Sequence, residues 1–209
     1  VSAEPKGVAI MIPASLQPLY DEVASKFTGM PKFGTTFVPG SGNPESRLVF
    51  IGEAPGEEEE KRRRPFVGPA GRNLDRLLEL AGLWRDEIFL TNVVKYRPVD
   101  PRNSLKNRKP TKREMELFLP YLKRELEILS PELIVCLGST SAEALLANRV
   151  PMSSCNGVLI HGDPWPIFVV YHPSPLNFNQ PERRFEMEEA FKYLGTLLSS
   201  PGTKAVAGI

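Results

Sequence analysis

Four short apolar runs constrain this chain more than any other feature: Leu48–Ile51, Ile88–Asn92, Leu133–Leu137 and Ile167–Tyr171. Each is rich in β-branched or aromatic side chains and reads as a buried strand. Helical patterns separate them. Leu74, Leu77, Leu78 and Ala81 recur at i, i+3, i+4 and i+7, and Gly82 is placed to end that helix. Thr111 and Glu114 form a capping box, followed by an apolar stripe of Met115, Phe118, Leu122, Leu126 and Leu129. Thr140 and Glu143 read as a second capping box that opens a short helix after the third run. Met187, Ala190, Phe191, Leu194 and Leu197 mark a last helix. Strands alternating with helices predict an α/β fold, a three-layer αβα sandwich around a four-stranded parallel sheet.

The 209 residues predict a single domain over 1–198. Residues 1–36 read as its variable N-terminal segment, with a helix at about Ser15–Phe27, and 199–209 as a disordered tail. The 21 prolines and 16 glycines fall between the apolar runs, so long loops are expected on a small scaffold. A net charge of +1 excludes a globally basic protein, and any nucleic-acid surface must come from local clusters of Lys and Arg. Two cysteines, Cys136 inside the third apolar run and Cys155, make neither a disulfide framework nor a metal-ligand set. That usage fits a reducing, cytoplasmic compartment. The start, Val1 to Pro13, shows no cleavage site, and no run approaches the ~20 residues of a membrane-spanning helix.

In parallel α/β sheets, ligands bind beyond the carboxyl ends of the strands. Here those ends read Gly52-Glu53-Ala54-Pro55-Gly56, Thr91-Asn92, Gly138-Ser139-Thr140 and Tyr171-His172-Pro173-Ser174-Pro175. One sheet edge would gather a carboxylate, an amide, a hydroxyl-rich turn and an imidazole. Taken singly, Glu53 reads equally well as a solvated loop acid, and Asn92 and His172 more readily as loop residues. Their joint placement points to a site.

These segments carry a resemblance. Phe37 to Pro44 (FVPGSGNP), Gly52 to Gly56 (GEAPG), Arg64 to Gly71 (RPFVGPAG), Thr91 to Lys95 (TNVVK), Asn107 to Thr111 (NRKPT) and His172 to Ser174 (HPS) resemble, in order and spacing, the motifs of family-4 uracil-DNA glycosylases. The likeness covers about residues 37–198. It implies an enzyme that flips uracil out of DNA and hydrolyses its N-glycosidic bond, starting base excision repair. The family fold, a four-stranded parallel sheet between helices, agrees with the reading from the strands.

The resemblance implies a role for each matched residue. His172 stands where the family has a donor to uracil O2, and Glu53 where an acid positions or activates water and favours a cationic sugar. Asn92 stands where the uracil edge is read, and Phe66 where uracil stacks. Gly52, Ala54 and Gly56 would bring backbone N–H groups to the base. Glu59 is a candidate to exclude the thymine methyl, although Glu57 to Glu60 reads equally as a solvated acidic loop. DNA contacts are expected from Lys95, Arg108, Lys109, Ser139, Pro173, Ser174, Arg183 and Arg184, with Leu176 as a wedge replacing the flipped base. The expected partner is uracil-containing DNA, single- or double-stranded, bound by a monomer with no membrane association.

The chain departs from the family at four positions. Family-4 enzymes carry four cysteines around an iron–sulfur cluster. Here the N-terminal region has none, Tyr96 stands at the third position and Phe118 at the fourth. No metal and no cofactor are expected; Tyr96, Phe118 and Phe27 or Phe33 would fill the vacated volume. Val99 to Lys106 reads as an insertion that lengthens a basic loop. A related group of uracil-binding proteins uses a histidine on a comparable loop to trap the sugar covalently. With only His161, read as a surface residue, and His172, this chain is expected to turn over. Two alternatives stay open: a non-catalytic DNA-binding or polymerase-accessory module, and a glycosylase for another deaminated or mismatched base.

Overall fold

All four apolar runs are strands, and both of their faces are buried. The computed structural model describes residues 12–100 and 102–199, except the side chains of Ser104 and Leu105. In chain order the elements begin with helix α1 (Gln17–Phe27), strands β1 (Ser41–Gly42) and β2 (Leu48–Gly52), helices α2 (Glu57–Arg62) and α3 (Pro69–Leu80), and strand β3 (Phe89–Asn92). A hairpin of β4 (Val99–Asp100) and β5 (Asn103–Asn107) precedes helix α4 (Lys112–Leu129) and strand β6 (Leu133–Leu137). Helices α5 (Ser139–Leu146) and α6 (Met152–Cys155), strands β7 (Val158–Ile160) and β8 (Ile167–Val170), and helices α7 (Pro175–Phe178) and α8 (Pro181–Ser199) complete it.

The sheet order is β1-β3-β2-β6-β8-β7. Its centre, β3-β2-β6-β8, is parallel, and β1 and β7 add antiparallel edges. The expected four-stranded sheet is therefore the core of a six-stranded mixed one. Side chains alternate across it. Val49, Ile51, Ile134, Cys136 and Val169 pack under α1, α4 and α5, while Phe50, Leu90, Val135, Phe168 and Val170 pack against α3 and α8. Burial pushes the Cys136 thiol up to about 12, so it is an inert core residue.

The helix expected at about Ser15–Phe27 is α1, and Leu16, Leu19, Tyr20, Val23 and Phe27 enter the core. Several local expectations are corrected. The expected tail lies outside the described residues apart from Ser199, which ends α8. The acidic run is a helix, with Lys61 paired to Glu57 at 2.6 Å. The Thr111–Glu114 capping box forms as read. The Thr140–Glu143 box does not: Gly138, at φ +100°, occupies the cap position, and the Glu143 carboxylate instead accepts from Val150 N at 3.1 Å.

One charged network crosses the layer between sheet and helices. Lys95 Nζ donates to Glu125 Oε2 and to Thr91 Oγ1, both at 2.5 Å. The Tyr20 hydroxyl also donates to Glu125, while accepting from Gly40 N at 3.0 Å. The side chains of Lys95 and Glu125 are 1% and 0% exposed, so Lys95 cannot contact DNA as the sequence suggested. Burial pushes the Lys95 ammonium below its ordinary value, and the Glu125 carboxylate opposes that. Replacing Glu125 by Leu alone strands the charge and is expected to cost about 3–5 kcal/mol in urea unfolding. The Lys95→Met/Glu125→Leu pair is expected to cost less than either single change; additive losses would show that the two charges act independently.

Candidate active site

The carboxyl ends of β2, β3, β6 and β8 open into a cleft of about 710 Å³. Glu53, Asn92, Phe66 and His172 all line it, together with Ala54, Gly56, Glu59, Ser139, Ser174, Leu176 and Lys109. The register explains this: Gly52 pairs with Asn92 across β2 and β3, so Glu53 and Asn92 leave the sheet side by side. Gly52 itself lies beneath the cleft. A Cβ there would overlap Asn92 Oδ1 and sit 2.5 Å from Phe66 Cζ, so only glycine lets both side chains close over the strand end.

Phe66 is held from two sides. Its backbone has φ +54°, uncommon for an aromatic residue. Arg85 Nη2 donates to its carbonyl at 2.6 Å and to that of Gly71 at 3.1 Å. On the other side, Glu59 Oε1 accepts from Val67 N (3.0 Å) and Gly68 N (2.7 Å), and its Oε2 accepts from Gly56 N (3.1 Å). The Glu59 carboxylate therefore ties the loop after β2 to the loop bearing Phe66.

His172 faces Phe66, with ring centres 6.2 Å apart. Its backbone carbonyl accepts from Asn177 Nδ2 and that of Pro173 from Asn73 Nδ2, both at 2.9 Å. A Cβ on Gly138 would come within 3.1 Å of His172 Cβ, so glycine clears the histidine's seat as well as taking the positive φ. Burial pushes the imidazolium down to about 4, so His172 is neutral at neutral pH and keeps one N–H to donate. Across the cleft, Glu53 Oε2 accepts from Thr140 Oγ1 at 2.5 Å and lies 4.0 Å from Lys109 Nζ.

The expected DNA contacts divide. Lys109 is exposed at the cleft, Ser139 and Ser174 line it, and Arg183 lies over the Tyr171 ring at 5.8 Å. Leu176, at the start of α7, is 77% exposed. Arg108 also lines the cleft, where it binds both Glu114 oxygens at 2.7 Å and the carbonyls of Val99 and Lys32. Pro173 is buried with its carbonyl bonded, so it presents nothing to a partner. Arg184 is exposed outside the cleft, 3.8 Å from Glu188. His161 is exposed, as read. In the sequence Thr140 shows only as part of a hydroxyl-rich turn and a capping pattern, and Arg85 gives no signal at all. Arg85 acts on backbone carbonyls, which carry no sequence signal.

A parallel sheet that brings a carboxylate, a carboxamide and a neutral imidazole to an aromatic-walled cleft is the layout of an α/β enzyme acting on a flat, hydrogen-bonding group. Residues 39–195 match the family model of the uracil DNA glycosylase superfamily. The chain is 38% identical over 197 residues to the type-4 uracil-DNA glycosylase of Sulfurisphaera tokodaii, covering 90% of this chain and 86% of that one. It is 37% identical to the type-4 enzyme of Archaeoglobus fulgidus, covering 79% and 84%. For the type-4 enzyme of Saccharolobus solfataricus the identity is 39%, covering 81% and 79%. The chain belongs to the uracil DNA glycosylase superfamily and is of the type-4 kind.

An iron–sulfur cluster does not fit this chain. Tyr96 and Phe118 are fully buried in an aromatic group. The Phe118 ring lies 4.4 Å from Phe27, 5.8 Å from Phe33 and 6.2 Å from Tyr96, and Phe37 adds a ring 5.8 Å from Tyr96. The Tyr96 hydroxyl is hydrogen-bonded to Thr28 Oγ1 at 3.0 Å. Among the described residues no group of His, Cys, Asp or Glu side chains is placed to hold a metal ion. Iron and acid-labile sulfide assays on the purified protein are expected to find no stoichiometric cluster; one cluster per chain would overturn this.

A second expectation concerns pH. The unfolded chain protonates His172 near its ordinary pH of about 6.5 and the folded chain only near 4. Between those values the unfolded state binds more protons, so stability falls as pH falls, by about 3 kcal/mol in all. His172→Gln is expected to flatten that part of the urea-stability profile, and NMR should place the His172 ring titration well below 6. A midpoint at 6.5 or above contradicts the neutral imidazole.

Proposed function

We propose that this chain removes uracil from DNA by hydrolysing the bond between deoxyribose C1′ and uracil N1. The observation that carries this is the placement of Asn92 beside Phe66 with the neutral His172 ring opposite, at the end of a cleft complete within one chain. A base lies inside the DNA stack and must be flipped into such a pocket. Phe66 offers a face for the uracil ring to stack on. The Asn92 amide can accept from uracil N3–H and donate to O4. Cytosine presents the opposite pattern, and its polar groups would be buried unpaired.

As C1′–N1 breaks, the electron pair leaves with the base and its charge spreads to O2, while the sugar becomes oxocarbenium-like. His172 donates a hydrogen bond to O2, and a preorganised donor at developing charge contributes about 3–4 kcal/mol to the barrier. Glu53 faces the sugar, favours its positive charge, and holds the water whose oxygen bonds to C1′ while its carboxylate takes up the water's proton. Leu176 fills the gap left by the flipped base, and Lys109, Arg183, Ser139 and Ser174 meet phosphates. In this reading the protein acts as a monomer inside the cell, where its DNA is.

The test is a labelled oligonucleotide with one uracil, single- or double-stranded, incubated with protein and EDTA and then cut by alkali at abasic sites. Cleavage at uracil alone is expected, with His172→Ala slower by about 100- to 1000-fold and Asn92→Ala strongly impaired. Salt-sensitive DNA binding without cleavage would replace the enzyme by a DNA-binding scaffold. Cleavage at a different base would move the substrate.

A further inference from the structure

We infer that Thr140 is a positioning residue for the hydrolytic step, assigning one Glu53 oxygen to the protein and leaving the other for sugar and water. This rests on the function proposed above. Two observations carry it. Thr140 sits in a sequence pattern for a helix cap, yet it caps nothing, because Gly138 takes that position. A helical threonine commonly turns its hydroxyl back to a carbonyl three or four residues earlier. Here it leaves its own helix and donates to Glu53 Oε2 at 2.5 Å. The carboxylate has no proton to give, so the direction of that bond is fixed.

Thr140 is 4% exposed and on the first turn of α5, behind Gly138 at the end of β6. Its hydroxyl is set by the single χ1 torsion of a buried side chain, so few positions are open to it. Glu53 is the opposite, a side chain with three rotatable bonds on the loop after β2. Its backbone is set by Val94 N donating to its carbonyl at 3.1 Å, but that bond leaves the carboxylate free to swing. Lys109 Nζ lies 4.0 Å from the same Oε2 and is 62% exposed at the cleft rim. Without the Thr140 bond, attraction to Lys109 would draw the carboxylate outward, toward the surface that meets phosphate.

Glu53 Oε1 has no hydrogen-bond partner among the described residues, and it is not one of any buried, unsatisfied atoms there. It is therefore the oxygen open to the cleft. Thr140 pins Oε2, and pinning Oε2 turns Oε1 toward the place where C1′ and water must lie. A carboxylate held within a few tenths of an ångström of its working position is the kind of alignment on which hydrolytic rates depend.

The experiment is single-turnover uracil release with enzyme in excess, for wild type, T140V, T140A and T140S, alongside DNA affinity and thermal midpoints. T140V keeps the shape and deletes the donor; T140A is the second deletion should the valine perturb folding. Both are expected to slow release by about 10- to 100-fold, the worth of one hydrogen bond to a charged group. DNA affinity should stay within about twofold, and T140S, which keeps the hydroxyl, should recover most of the rate. In an E53A background T140V should change the residual rate by less than about twofold, because the threonine acts only through Glu53. The inference is overturned if T140V matches wild type, if T140S is as slow as T140V, if the loss lies in DNA affinity, or if T140V slows E53A as much as it slows wild type. A wild-type protein that releases no uracil sinks the proposed function instead, a separate outcome.

Discussion

The site depends on β2 having a parallel neighbour on each side. Gly52 is in register with Asn92 on β3, Ile51 with Cys136 on β6, and Leu137 of β6 with Val170 of β8. Because all four strands run the same way, their last residues arrive at one edge, and the next residues are Glu53, Val93, Gly138 and Tyr171. The strands are buried on both faces, so a slip of one residue would trade one apolar face for another. Register is held instead by what the strand ends require: the bare Cα of Gly52 under Asn92 and Phe66, and that of Gly138 beside His172. Close approach at two glycines is what turns a generic parallel sheet into this cleft.

Around that edge, charged side chains serve as internal ties. Glu59 accepts three backbone N–H bonds and joins two cleft loops. Arg85 holds the carbonyl of Phe66, and Arg108 binds the start of α4 to the carbonyls of Val99 and Lys32. Lys95 and Glu125 reach Thr91, the residue before Asn92, from below. The buried Lys95–Glu125 pair adds little net stability compared with an apolar replacement, but it is costly to break from one side. Glu59, Arg85 and the Lys95–Glu125 pair each end on a segment bearing a cleft residue.

The aromatic group occupies the place where the family resemblance would put an iron–sulfur cluster. A cluster would staple the N-terminal segment, the loop after β3 and α4 through sulfur ligands. Here Phe27 and Phe33 from the first, Tyr96 from the second and Phe118 from the third meet ring against ring. Aromatic pairs of this geometry contribute about 0.5–1.5 kcal/mol each beyond their burial. That burial also explains why residues 12–36 pack as part of the core.

By itself the sequence determined the four central strands, the helices with apolar stripes, the Thr111 cap and the gathering of Glu53, Asn92 and His172. Each depends on a local pattern or on a parallel topology that four apolar runs impose. Phe66 came to the site only through the family resemblance. The edge strands β1 and β7 were too short to leave a pattern. Tertiary structure alone decided which polar side chains face the cleft and which face inward. Lys95 reads as a DNA contact, because a basic residue in a loop motif looks the same whether it meets phosphate or a buried carboxylate. Thr140 read as a helix cap, because Ser/Thr-x-x-Glu is a local signal, whereas its partner Glu53 is distant in sequence. Partners brought together by the sheet leave no trace in local spacing, and the choice between two acceptors for one hydroxyl is made only when the chain has folded.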